Sequence, residues 1–310
     1  MKFGIHNPSW LFGSDPYQLF EALKCKAQWA ETHGFSWFSL MDHLIQIPNV
    51  GEADEPFMES WSTLAALAPV TSQTRLATLV TSVAYRNPAH LAKIAASVDI
   101  ISGGRLVFGI GAGWYDREYK QYGWEFPARP ARRIQQMEEA IQLITTMWQE
   151  PRATFHGRYF HIQDAILEPK PVQKPYPPIM IGGSGEELTL RAVARWGDAC
   201  NIFGDPQTVK HKYEVLHRHC ENVGRDYKSI ERTNLTSLLL AKDEAELKAK
   251  RERLQVPEQF RGFALTIPQA SDLIGQYQQA GTQTFICSSY KNDPETLELL
   301  ASEIMPSFTD

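Results

Sequence analysis

The sequence predicts an α/β protein, a (β/α)8 TIM barrel with insertion segments at the C-terminal mouth. Short apolar runs alternate with longer amphipathic stretches almost from end to end, which is the pattern of repeated βα units. Eight such runs fall along 310 residues, and 43% hydrophobic content supplies a large core. Closing eight parallel strands on themselves buries the edges that the competing open, doubly wound sheet leaves bare. The expected organisation is one domain over 1–310 with an insertion at about 150–178.

The first strand is expected at Lys2–His6. A helix follows over Tyr17–His33, where Leu19, Leu23, Ala27 and Ala30 recur at spacings of three and four, and Gly34 sits at the left-handed C-terminal cap position. The second strand is Phe35–Met41. Leu44–Glu59 is rich in Gly, Asp, Glu and Pro and reads as a loop over the mouth. A helix at Ser60–Val70 leads to the third strand, Arg75–Ser82; a helix at Pro88–Ile101 leads to the fourth, Arg105–Ile110. The helix Pro130–Gln149 precedes a break in rhythm. There Thr154–Phe160 alternates around Gly157 and a Pro-rich EPKPVQKPYPP follows, so a short hairpin and an extended connection are expected over Glu150–Pro178.

The remaining strands are Pro178–Ile181, Ala199–Phe203, Thr233–Ala241 and Thr284–Ser288. Their helices are Glu186–Trp196, Pro206–Val223, Lys242–Leu254, Pro268–Ala280 and Pro294–Ile304. Several begin with Pro, whose fixed φ and missing N–H suit a first turn.

A formal charge of −5 offers no attraction to polyanions, which argues against a nucleic-acid partner. Cys25, Cys200, Cys220 and Cys287 lack CxxC spacing and fit a reducing, cytoplasmic setting better than a disulfide scaffold or a thiolate zinc site. No run approaches the roughly 18 apolar residues of a membrane span, and the N-terminal stretch does not resemble a signal peptide. No metal is expected: His211, His217, His219 and Cys220 share one helix, but an i, i+2 pair faces apart and no HExxH occurs.

Three clusters carry chemistry. SGGRLVFGIGAGWYDREYKQYG places Gly109, Gly111 and Gly113 at the far end of a strand, where missing side chains let a flat ring or a backbone approach. Trp114 stands where GxGxxG needs its third glycine, so the dinucleotide fingerprint is not met. MIGGSGEELTLRAVARWG joins a strand to a helix through Gly182, Gly183, Ser184 and Gly185, a turn suited to phosphate because backbone N–H groups converge at a positive helix end. It lacks the Lys of a nucleoside triphosphatase loop, and GGSGE does not fit the GxSxG of a hydrolase. Asp42 and His43 end the second strand, at the catalytic rim of a barrel, where a carboxylate and an imidazole can orient a cofactor or carry a proton. Trp10 and Trp114 follow strands and are expected as pocket walls.

Together SLMDH, LATLVTSVAYRNPAHLAKIAASVDIISGGRLVFGIGAGWYDREYKQYG and MIGGSGEELTLRAVARWGDACN resemble the luciferase-like monooxygenase superfamily, and within it the branch that uses the deazaflavin coenzyme F420. The resemblance runs over most of residues 1–203. It implies a barrel with a flavin or deazaflavin ring in its mouth, a small-molecule substrate and a homodimer. Carried onto this chain, it puts Asp42 at the cofactor and His43 in acid/base work, with Trp114 beside the substrate. Ser82 and Val83 match a third-strand bulge that in many members holds a non-prolyl cis peptide behind the ring. Gly109, Gly111, Ala112 and Gly113 match the strand end beside the cofactor, and Gly182, Gly183, Ser184 and Gly185 the phosphate turn. Sugar-phosphate dehydrogenase members carry a Glu where Trp114 stands here, which implies a different or larger apolar substrate. The expected activity is hydride transfer between F420 and an organic substrate. The alternatives are an FMN-dependent monooxygenase using oxygen and a binding protein without turnover.

Overall fold

The computed structural model describes residues 1–10 and 15–309. Its eight barrel strands, in chain order, are β1 (Lys2–Asn7), β2 (Trp37–Leu40), β3 (Arg75–Thr78), β4 (Leu106–Gly111), β5 (Ile179–Gly182), β6 (Ala199–Ile202), β7 (Glu231–Ala241) and β8 (Thr284–Ser289). Each pairs in parallel with its chain neighbours. The sheet closes because β8 also pairs with β1, Lys2 opposite Thr284 and Ile5 opposite Cys287. This is the (β/α)8 barrel that the alternation predicts. With the eight strands closed on themselves and helices around them, the strands are buried on both faces.

Strand alternation sorts the core into two. Outward residues meet the helices in a large cluster that includes Phe38, Phe108, Trp148 and Phe285. Inward ones form a smaller cluster of Trp37, Ala77, Val107, Met180, Ala199 and Ile286. At the N-terminal end of the strands Arg75 holds Glu231 through two bonds of 2.7 and 2.8 Å and lies over the Trp37 ring, while Thr284 donates to the same carboxylate. These groups close that end, leaving the C-terminal mouth as the open one.

The helices Pro88–Ile101, Pro130–Gln149 and Pro206–Val223 have the expected bounds. Gly34 has φ +81°, as a left-handed cap requires. A hairpin of Ala153–His156 and His161–Ala165 lies where the rhythm breaks. Other features depart from expectation. The helix after the glycine turn starts at Thr189, not Glu186, with the Leu190 N–H bonded to Gly185 O. A strand at Phe263–Thr266 extends the sheet along Leu238–Ala241, the overhanging end of the eleven-residue β7. A helix at Asp116–Gln121 was also not expected, because six mostly polar residues carry too little periodicity to read.

The third strand departs most. Arg75–Ser82 is not continuous: β3 stops at Thr78, and Thr81–Ser82 resume pairing beside Ile110 and Gly111. The non-prolyl cis peptide is Leu79–Val80, not Ser82–Val83. Val83 packs in the outer core, and Val80 is the residue turned to the mouth. Trp10 is likewise no pocket wall. It is 1% exposed, tilted against Phe57 at 4.8 Å, and its indole N–H donates to Asn7 O at 3.1 Å.

Candidate functional site

A cavity of about 1600 Å³ opens at the C-terminal ends of the strands. Of the residues expected there, His43, Asp42 and Trp114 line it, as do Ser82, Gly111, Ala112, Gly113, Gly182 and Gly183. Gly109, Ser184, Gly185 and Val83 are not among its lining residues.

The glycines work differently from a bare shelf. A Cβ on Gly109 would stand 1.8 Å from Thr78 O, so its missing side chain admits the backbone at the end of β3. Those on Gly111 and Gly182 would meet the Val80 methyls at 2.7 and 2.9 Å. Glycines on two neighbouring strands therefore seat one isopropyl group, which with Leu79 and Ala112 gives the cavity an apolar wall. Gly113, at φ +78°, makes room for Tyr119 and Ser82, whose hydroxyls bond at 2.5 Å. In the phosphate-type turn the Gly183 N–H is spent on Asn201 O at 3.2 Å, and Gly183 takes φ +122°. Glu186 in the same turn accepts from Lys212 at 2.6 Å, and its carbonyl accepts from His219 at 2.7 Å. His211 and His219 of the helix Pro206–Val223 thus tie down the turn. Among the described residues no group of three or more His, Cys, Asp or Glu side chains could hold a metal.

Asp42 is fully buried and faces the Arg86 guanidinium in two bonds of 2.7 and 3.0 Å. Arg86 also donates to Thr81 and Glu59. Burial pulls the guanidinium pKa down, but Asp42 and Glu59 outweigh it and hold it above its ordinary value. With both oxygens engaged by a fork-shaped cation, Asp42 fixes the end of β2 and is poorly placed to move a proton.

His43 has another partner, which sequence reasoning missed. Its Nδ1 lies 2.6 Å from Oε2 of Glu118, a fully buried carboxylate on the short helix Asp116–Gln121. The other oxygen accepts the backbone N–H groups of Leu44 at 2.6 Å and Ile45 at 3.2 Å, and Tyr85 donates its hydroxyl to Oε2. Burial pushes the Glu118 carboxyl up, but the bonds from His43, Leu44 and Tyr85 reverse that and hold it below its ordinary range. Burial and the neighbouring Glu118 charge keep the Tyr85 phenol protonated. Every group around Glu118 is a donor, so His43 carries its proton on Nδ1 and keeps Nε2 for whatever the cavity holds. Trp114 meets the His43 ring edge-on at 5.8 Å, stacks on Tyr115 at 5.1 Å and is 56% exposed, an aromatic lip beside the imidazole.

Deeper in the cavity His6 bonds Ser39 Oγ through Nδ1 at 3.0 Å. Burial first, then the charges of Lys26 and His43, push its pKa down to about 3, so it is neutral. Neither it nor Asn201, also in the lining, stands out in the sequence; a lone His or Asn on an apolar strand has no readable spacing.

The model of the luciferase-like monooxygenase family matches residues 1–296. The pyrimidine monooxygenase RutA of Stutzerimonas stutzeri is 31% identical over 229 residues, 71% of this chain and 62% of the relative. The coenzyme F420-dependent tetrahydromethanopterin reductase of Methanopyrus kandleri superposes with a TM-score of 0.80 and 18% identity over 99% of both chains. The oxygenating component of 3,6-diketocamphane monooxygenase of Pseudomonas putida, solved with FMN, superposes with a TM-score of 0.77 and 18% identity over 99% of this chain and 98% of that one. The two structural likenesses establish the shared fold.

Proposed function

The chain belongs to the luciferase-like monooxygenase family, and on that premise we propose that it transfers a hydride between coenzyme F420 and an organic small molecule, with His43 handling the accompanying proton. The observation that carries this reading is the His43–Glu118 pair on the wall of a large, partly apolar cavity. Hydride leaves or enters a substrate carbon together with a proton at a neighbouring atom, and an imidazole with Nε2 unoccupied and Nδ1 anchored can take or return that proton. Trp114 and Phe203, both exposed and both in the lining, offer apolar faces to the substrate.

The residues fit a flat tricyclic coenzyme. The Val80 seat between Gly111 and Gly182 is a smooth apolar surface for a ring, and Gly183, Thr189 and Arg133 lie in the lining for a phosphate. When bound, the deazaflavin supplies a carbon that accepts or donates hydride. The protein's share is to fix the ring, hold the substrate beside His43 and exclude water.

The identity to the pyrimidine monooxygenase of Stutzerimonas stutzeri favours a second reading, an FMN-dependent monooxygenase with the same His43 acting on a bound substrate. Equilibrium binding of F420 and of FMN to the purified apoprotein, followed by fluorescence quenching, separates the two. Tight binding of F420 alone is the expected result. Preference for FMN moves the assignment to the monooxygenase, and binding of neither overturns both.

A further inference from the structure

Asn201 sits on β6 with its side chain turned into the barrel, since Ala199 before it packs in the inner cluster while Cys200 and Ile202 pack outside. It is fully buried and lines the cavity. Its Nδ2 donates to Thr233 Oγ1 at 2.8 Å, and the Thr233 hydroxyl spends its single hydrogen on Cys200 O at 2.9 Å. Thr233 can therefore only accept from the amide, which fixes which end of Asn201 is NH2 and which is oxygen. The oxygen, Oδ1, is buried and has no partner among the described residues. A buried carbonyl oxygen left unpaired is costly, and such atoms are rare unless a ligand or water completes them.

The place of this acceptor narrows what completes it. Asn201 stands opposite Gly182 in the β5–β6 register, and Gly182 is one of the two glycines that seat Val80. A flat ring against Val80 therefore has Asn201 one strand away, at its edge. Two donors of the neighbouring wall are already engaged: the Gly183 N–H bonds the Asn201 backbone carbonyl, and His6 Nδ1 is held to Ser39. A donor on the edge of a flat ring fits that place.

We propose that Asn201 Oδ1 accepts an imide N–H, the donor flanked by two carbonyls on the pyrimidinedione edge that flavins and deazaflavins share. The inference rests on the coenzyme reading above. It makes Asn201 a binding residue that senses the ring edge, distinct from the phosphate turn and from the His43 pair.

The test is equilibrium binding of F420 and FMN, each beside its N3-methyl derivative lacking only the imide hydrogen, to wild-type protein and to Asn201→Leu, with the comparison read on whichever parent coenzyme the wild type binds. Methylation is expected to weaken binding to the wild type about 10- to 100-fold, the value of one buried hydrogen bond left unmade. Asn201→Leu should bind parent and methylated rings alike, and its thermal midpoint should not fall. Thr233→Val, which frees the amide without removing it, should narrow the discrimination and guards against a misfolded leucine variant. Equal binding of the two rings by the wild type, or unchanged discrimination in Asn201→Leu, overturns the proposal. Wild-type protein that binds neither coenzyme overturns the coenzyme reading instead. In that case uracil is the free imide probe: binding lost in Asn201→Leu sustains Asn201 as the imide acceptor, and no difference overturns that too.

Discussion

Replacing Glu118 by Gln tests the tautomer argument without altering the shape of the site. The carboxylate accepts four donors: Leu44 N–H, Ile45 N–H, the Tyr85 hydroxyl and His43 Nδ1–H. A glutamine can keep its oxygen on the two backbone N–H groups, but its NH2 then confronts Tyr85 and His43. The imidazole relieves the clash by moving its proton to Nε2 and accepting at Nδ1, which turns its donor toward the cavity. One charge-assisted bond is lost and a buried phenol must reorient, for a cost of about 2–4 kcal/mol in stability. That cost depends on pH. The folded carboxyl titrates below its ordinary value, so its stabilisation is complete above the unfolded pKa near 4.5 and is lost as pH falls through the lower folded value. The wild type should therefore lose an advantage over Glu118→Gln as pH drops below about 4.5. Nitrogen-15 NMR of the histidine side chains reads the tautomer directly, and urea unfolding across pH reads the stability. We expect Nδ1–H in the wild type and Nε2–H in the variant, with turnover down about 10²- to 10⁴-fold. An Nε2–H wild type, or a tautomer indifferent to the substitution, refutes the reasoning.

Other consequences can be checked alongside. Gly109→Ala puts a methyl 1.8 Å from the Thr78 carbonyl oxygen, a backbone atom that cannot rotate away, and should lower stability by about 2–4 kcal/mol in denaturant unfolding. His6 titrates at about 3 when folded against 6.5 unfolded, so stability is full above pH 6.5 and falls as pH drops toward 3. His6→Asn should flatten that slope, which is worth roughly 1.4 kcal/mol per pH unit at most; an unchanged slope in calorimetric scans across pH rejects the assignment. The two tryptophans expected as walls should separate: Trp10→Ala should cost about 3–5 kcal/mol through a core cavity. Trp114→Ala should leave stability within about 0.5 kcal/mol while raising the KM for the organic substrate.

What the sequence determined by itself is what local patterns encode. Period-two and period-3.6 hydrophobicity set the strands and helices, and eight parallel units have few closed arrangements, so the barrel was legible from order alone. The ends of its strands then located Asp42, His43 and the glycine runs at the mouth, because a barrel puts loops there whatever the residues are. Tertiary structure decided what each residue does at that mouth, since its partners come from distant segments. Glu118 is 75 residues from His43, and Arg86 is 44 from Asp42. No spacing rule spans such separations, so the pair His43 makes with Glu118 and the pair Asp42 makes with Arg86 looked alike as an adjacent Asp and His. The glycines show the same limit: a missing side chain is visible in the sequence, but whether it admits a ring, a carbonyl or Val80 depends on which strand lies next to it. Asn201 is the extreme case, an ordinary residue in an apolar strand whose orphaned oxygen exists only because Thr233 on the neighbouring strand holds the other end of the amide.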